Sequence, residues 1–101
     1  MRSLRISARA QAQLRKISAY IARESGHRGL ADAFRRRLVQ KGRRLASFPG
    51  TLGTARTDLG PDIRSTPVAN YILIFRYTAD TVDVLAVLHA SCDTIAHFEA
   101  G

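Results

Sequence analysis

The stretch Asn70–His89, NYILIFRYTADTVDVLAVLH, is where the chain commits to a sheet. Two runs rich in Ile, Val, Leu, Phe and Tyr, Asn70–Tyr77 and Thr81–His89, flank the turn Thr78-Ala79-Asp80, so they are expected to pair as a hairpin. Within the first run Tyr71, Leu73, Phe75 and Tyr77 alternate with Ile72, Ile74 and Arg76. Both sets are largely apolar, and either parity could point inward. Ile63–Thr66 reads as a shorter third strand. Beyond Ser91 a short helix is expected to reach Phe98, with Ile95 and Phe98 able to pack back on the sheet.

Upstream the period changes. Leu4 and Ile6 alternate with Ser3, Arg5 and Ser7, which predicts a short half-buried strand. Ser7 can then cap a helix from Ala8 to about Ser25, in which Ala10, Leu14, Ile17 and Ile21 share a face and Gly26 supplies the stop. A second helical pattern runs from about Leu30 to Ser47 with Leu30, Phe34, Leu38, Leu45 and Phe48 on one side, and Pro49-Gly50 ends it. The short connection between the helices predicts an antiparallel helical hairpin. Residues 50–61, GTLGTARTDLGP, read as a loop. This order predicts an α+β fold: an N-terminal strand, a two-helix hairpin packed on one face of a small, mainly antiparallel sheet, and a short C-terminal helix.

Composition sets the outer bounds. A chain of 101 residues, 46% hydrophobic and without a linker-like stretch, suits one compact domain over residues 1–101. It carries no apolar run long enough to cross a membrane and no signal-peptide pattern at its start, so it reads as cytoplasmic. The single Cys92 cannot form an internal disulfide. Sixteen Lys+Arg against eight Asp+Glu give a formal charge of +8, and fourteen of the sixteen are arginine. The partner is therefore expected to be acidic: a protein segment, a nucleic acid or an anionic surface. The arginine bias fits both a GC-rich genome and a need for forked contacts.

Three stretches carry a resemblance. The first helix contains LRKISAYIARESG, in which Ile17, Tyr20, Ile21 and Ala22 match an I-x-x-Y-I-A pattern. The second half, ARTDLGPDIRSTPVANYILIFRY followed by TVDVLAVLHASCD, follows a run from P-R-x-E-L through L-R-S-x-P-x-x-x-Y-x-I-x-Y-R to V-L-H-x-x-R-D. Together these resemble the ParE branch of the RelE/ParE superfamily of bacterial toxins. The chain departs from that pattern at Ala55 (proline in the family), Asp58 (its acidic residue, a glutamate in the pattern), Phe75 (tyrosine) and Cys92 (arginine). Losing a phenol and a guanidinium is expected to alter the face a target touches.

The resemblance implies the toxin of a type II toxin–antitoxin pair, of the kind linked to plasmid stabilisation. It implies neutralisation by an acidic, ParD-like antitoxin whose tail wraps the helical hairpin and folds as it binds, in a hetero-oligomer that meets operator DNA only through the antitoxin. It further implies inhibition of DNA gyrase without chemistry, cofactor or metal. The antitoxin-facing candidates are Leu14, Ile17, Tyr20, Ile21, Phe34 and Leu38, most of which the core of so short a chain must also claim. The target-facing candidates are Arg56, Arg64, Arg76, His89 and Asp93. The alternative is a RelE-like, ribosome-dependent mRNA endoribonuclease, in which Arg64, Arg76 and His89 would be catalytic. A plain nucleic-acid module has the charge but lacks a stacking motif.

Bland readings compete at each position. Arg64 and Arg76 could brace loops by pairing with Asp58, Asp62 or Asp93. His89 could hydrogen-bond Asp93 as a structural strand end. The runs Arg35-Arg36-Arg37 and Arg43-Arg44 read first as a solvated helix face. His89, Cys92, Asp93 and His97 are all metal-ligand types, but a strand end running into a helix start does not converge four ligands, and no thiol mechanism is indicated.

Overall fold

The computed structural model describes residues 2–100. In chain order the elements are β1 (Ser3–Ile6), α1 (Ala8–Ser25), α2 (Arg28–Ser47), β2 (Thr54–Ala55), β3 (Ile63–Val68), β4 (Tyr71–Tyr77), β5 (Thr81–His89) and α3 (Thr94–Ala100). They form one five-stranded sheet in the order β1-β5-β4-β3-β2, with β1 parallel to β5 and every other pair antiparallel.

The helix ends follow their sequence signals. Ser7 is extended and its hydroxyl accepts the Ala10 N–H at 3.0 Å, meeting one of the unpaired donors of the first turn. At the other end Gly26 takes φ 71, which a Cβ would disfavour, and donates its N–H to the Ala22 carbonyl. α2 begins at Arg28, ahead of the apolar stripe, with His27 in the cap position and no side-chain cap.

Two strand assignments differ from the sequence reading. β2 lies inside the segment read as loop, where two residues pairing with Arg64 and Ser65 are too few to show a period. β3 runs on to Val68 through Pro67. Past Ser65 it has β4 as neighbour on one side only, which is where a strand tolerates a residue without an N–H.

A β-bulge settles the parity question. Tyr71, Leu73, Phe75 and Tyr77 of β4 face the helices, with Val82 and Val84 opposite them on β5. The register then shifts at Ile74/Phe75, and Val87 rather than Ala86 resumes the helix-facing row. The main core lies on this side, between that row and Ala10, Leu14, Phe34, Leu38 and Leu45 of the helices. A second cluster occupies the opposite face: Ile63, Ile74, Ala86 and Leu88 are buried, and Leu59, Cys92 and Phe98 pack over them. The segment around Leu59 and helix α3 therefore cover part of that face. The rest stays open where Arg5, Asp83 and Arg76 lie side by side in register.

Gln13 completes the sheet edge. β1 pairs with β5 only as far as Val84, and beyond it the Val87 N–H donates to Gln13 Oε1 at 2.8 Å. A side chain of α1 thus replaces a missing strand.

Candidate functional site

Arg56, Arg64 and Arg76 sit at one end of the sheet, where Arg64 pairs with Ala55 on β2 and Phe75 on β4, and Arg76 pairs with Ile63. They do not share a face. Arg64 falls on the helix side and donates from Nε to the Leu52 carbonyl and from a terminal nitrogen to the Gly53 carbonyl, both at 2.8 Å. It braces the loop before β2 through backbone carbonyls, not through Asp58, Asp62 or Asp93. That loop is tight: Gly53 has φ 83, and a Cβ there would lie 2.8 Å from both the Phe75 ring and the Ser65 carbonyl oxygen.

Arg56 forms a fork with Asp58, Nε to Oδ1 at 3.0 Å and a terminal nitrogen to Oδ2 at 2.8 Å, and its other terminal nitrogen reaches the Ser65 hydroxyl at 3.4 Å. This is the only ion pair among the described residues. The hydrogen bond to the guanidinium holds the Asp58 carboxyl below its ordinary value, and the same bond raises Arg56. Arg76 is exposed on the open face, and among the described residues its side chain makes no hydrogen bond. Of the three it is the one whose guanidinium is not already engaged.

His89 and Asp93 lie elsewhere. His89 pairs with Tyr71 at the far end of the hairpin, five residues along β4 from Arg76, or about 17 Å. Its ring stacks edge-on against Tyr71 at 5.1 Å, and Tyr71 in turn meets Phe34 at 5.1 Å, so His89 ends an aromatic row on the helix side. Its Nδ1 contacts the Ser91 hydroxyl at 2.7 Å, in place of the Asp93 partner the sequence suggested. Asp93 caps α3, where its Oδ1 accepts the Ala96 N–H. Among the described residues no three His, Cys, Asp or Glu side chains are gathered as a metal would require. Arg64, Arg76 and His89 do not converge.

Two of the four family departures look inward. Phe75 is fully buried under the helices, so position 75 does not face a target as the sequence reading supposed. Cys92 is half-buried against the second core cluster.

On the helical hairpin the six partner candidates divide by burial. Leu14, Phe34 and Leu38 are buried in the core, Ile17 and Ile21 are half-buried at its edge, and Tyr20 is 51% exposed. Burial, together with the nearness of Tyr20, raises the Tyr71 phenol above its ordinary value. Tyr20 therefore stands next to the aromatic row of Phe34, Tyr71 and His89. Tyr71 is the residue of this surface that the sequence analysis did not single out for a role; its signal was its place in the alternating row.

No helix is long and apolar enough to cross a membrane. The chain matches, over residues 4–93, the family model described as ParE toxin of type II toxin-antitoxin system, parDE. Its fold is similar to a solved structure titled chromosomal ParDE TA system from P. aeruginosa, with a TM-score of 0.77 and 17% identity, covering 90% of this chain and 98% of that one. No curated protein matches. With the family model spanning most of its length, the chain belongs to the ParE toxin family of type II toxin–antitoxin systems.

Proposed function

We propose that this member of the ParE family is a cytoplasmic toxin that binds DNA gyrase and blocks replication, and that an acidic, ParD-like antitoxin neutralises it in a hetero-oligomer. The observation that favours an inhibitor over a nuclease is the scatter of the three residues a nuclease would need. Arg64 is spent on the Leu52 and Gly53 carbonyls, Arg76 lies on the open face, and His89 ends the helix-side row about 17 Å along the strand. Acid, base and charge stabiliser must meet within hydrogen-bond reach of one phosphate for cleavage. Binding has no such requirement.

The target surface is the open end of the sheet around Arg76 and Arg56. The antitoxin surface is the Ile17-Tyr20-Ile21 strip of α1 beside Tyr71, with Leu14, Phe34 and Leu38 holding that strip in shape from beneath. Purified gyrase, assayed for supercoiling with and without toxin, tests the reading directly. Dose-dependent inhibition, relieved by the product of the adjacent antitoxin gene, is expected. Cleavage of ribosome-bound mRNA with supercoiling untouched would replace the inhibitor with the RelE-like nuclease.

A further inference from the structure

From Arg35 to Arg44, helix α2 carries Arg35, Arg36, Arg37, Lys41, Arg43 and Arg44 and no carboxylate. The only ion pair among the described residues is elsewhere, between Arg56 and Asp58. Helical spacing sets Arg37 four residues from Lys41 and Lys41 three from Arg44, so like charges sit side by side and weaken the helix. The helix dipole favours positive charge only in the last turn, which accounts for Arg44 and not for the others. Among the described residues no ion pair offsets this concentration. A polyanion would.

The strip is shaped as well as charged. Two shallow grooves meet at Gln40: one of about 240 Å³, where Arg37, Lys41 and Arg44 stand over Pro67 and Val68 of β3, and one of about 300 Å³ around Val39 between Arg35, Arg36 and Arg43. Its length along the axis is about 14 Å. Phosphates along one strand of a duplex are about 3.4 Å apart in axial rise, so the strip can span roughly three or four of them.

At 3.6 residues per turn the six fall into two groups on either side of Gln40, Arg35-Arg36-Arg43 and Arg37-Lys41-Arg44, and we infer that the Arg35-Arg36-Arg43 edge of α2 binds the phosphate backbone of double-stranded nucleic acid without reading its sequence. An acidic protein partner is disfavoured by what the strip lacks. The exposed large apolar residues, Tyr20, Leu30, Phe48 and Ile95, all lie outside residues 35–44, and protein interfaces are held by such anchors. Phosphate contacts need only guanidinium and ammonium groups, and five of the six are arginines, whose fork fits a phosphate in two-point contact. None of the six belongs to the surfaces assigned to target or antitoxin, so the toxin would touch nucleic acid itself and not only through its partner.

The test is fluorescence anisotropy of the purified full chain with a mixed-sequence duplex of about 20 base pairs across roughly 50–200 mM salt. The expected slope of log affinity against log salt is near −3, at about −0.9 per neutralised phosphate. Arg36→Ala with Arg43→Ala should weaken binding tenfold or more and reduce the slope by about 2. Arg5→Ala with Arg76→Ala removes the same charge from the opposite face and should leave the slope nearly intact, and both pairs should keep the parent's thermal midpoint. Absence of binding at the lowest salt overturns the inference. So does an equal loss in the two pairs, which would reduce the effect to net charge. Displacement of the duplex by a poly-glutamate peptide at matched charge would assign the strip to an acidic protein instead.

Discussion

Tyr77 shows how much one side chain organises here. Its hydroxyl donates to the Leu45 carbonyl at 3.0 Å and accepts the Leu52 N–H at 3.2 Å, while its ring lies 4.4 Å beneath the Arg2 guanidinium and edge-on to Phe75. Leu45 belongs to the last turn of α2, whose carbonyls have no helical partner. Tyr77→Phe keeps the ring and strands both backbone groups, so it should cost about 1–3 kcal/mol, read as a fall in urea midpoint with an unchanged m-value. The helix residues give a sharper contrast. Leu38→Ala opens a cavity in the core and should cost about 2–5 kcal/mol. Tyr20→Ala removes an exposed ring and should stay within about 0.5 kcal/mol in stability, yet weaken antitoxin binding by roughly tenfold or more if Tyr20 anchors it. Unchanged affinity in titration calorimetry would move the antitoxin off this strip. Spacing alone could place Leu14, Phe34 and Leu38 on an apolar arc, but Ile17, Tyr20 and Ile21 lie on the edge of that arc, where exposure depends on how far α2 and the sheet reach across it.

At the scale of elements, the helices, the β4–β5 hairpin and the α+β order were legible because each repeats its period over several turns or pleats. The bulge between Val84 and Val87 was not. Its residues are Val, Leu, Ala and Val, apolar on either parity, so composition could not say where the row changes sides. β2 escaped because two residues have no period, and α2's early start because Arg28 and Gly29 carry no apolar signal. The β3–β4 turn stores strain the sequence hides. Ala69 sits at φ 53, a region that costs an L-residue about 1–2 kcal/mol, so Ala69→Gly should stabilise the fold despite the added freedom of the unfolded chain. A lower thermal midpoint would show that the turn gains more from the Cβ than it loses. The loop from Arg56 to Leu59 should respond to acid. Asp58's folded-state pKa is depressed, so its contribution is present above its unfolded value and is lost as pH falls through the folded one. Once pH has fallen through that depressed value the Arg56 fork opens, and amide exchange at residues 56–60 should rise ahead of the β4–β5 core. Because Asp58 is exposed, global stability should move little.

On the scale of the whole molecule, the sheet separates the work that sequence reading had pooled. Of the target candidates, Arg56 and Arg76 fall at one end, and His89 and Asp93 at the other with the chain's turn into α3 between them. The family pattern could supply these residue types in order, but their separation depends on register, which a pattern of identities does not contain. A single flat contact made by one end of the sheet has a definite mutational form. Arg76→Ala should lower gyrase affinity by roughly one to two powers of ten, as expected for a charge-assisted contact worth about 1.5–3 kcal/mol, and growth inhibition should decline in step. Arg56→Ala acts on the same patch and also releases Asp58, so the double variant should show coupling of about 0.5 kcal/mol or more. His89→Ala, about 17 Å from Arg76, should combine additively with it. An enzyme behaves differently: removing one member of a catalytic set abolishes turnover while binding survives, and removing a second adds little. Gyrase inhibition curves and ribosomal mRNA cleavage, measured for the three single variants and the two pairs, separate these forms. Losses at Arg76 and Arg56 that track affinity, with His89→Ala adding little to either, are the result a binding toxin with that patch requires. Collapse of activity at Arg76 or at His89 alone, with affinity retained, would mean the two ends of the sheet act on one reacting phosphate after all.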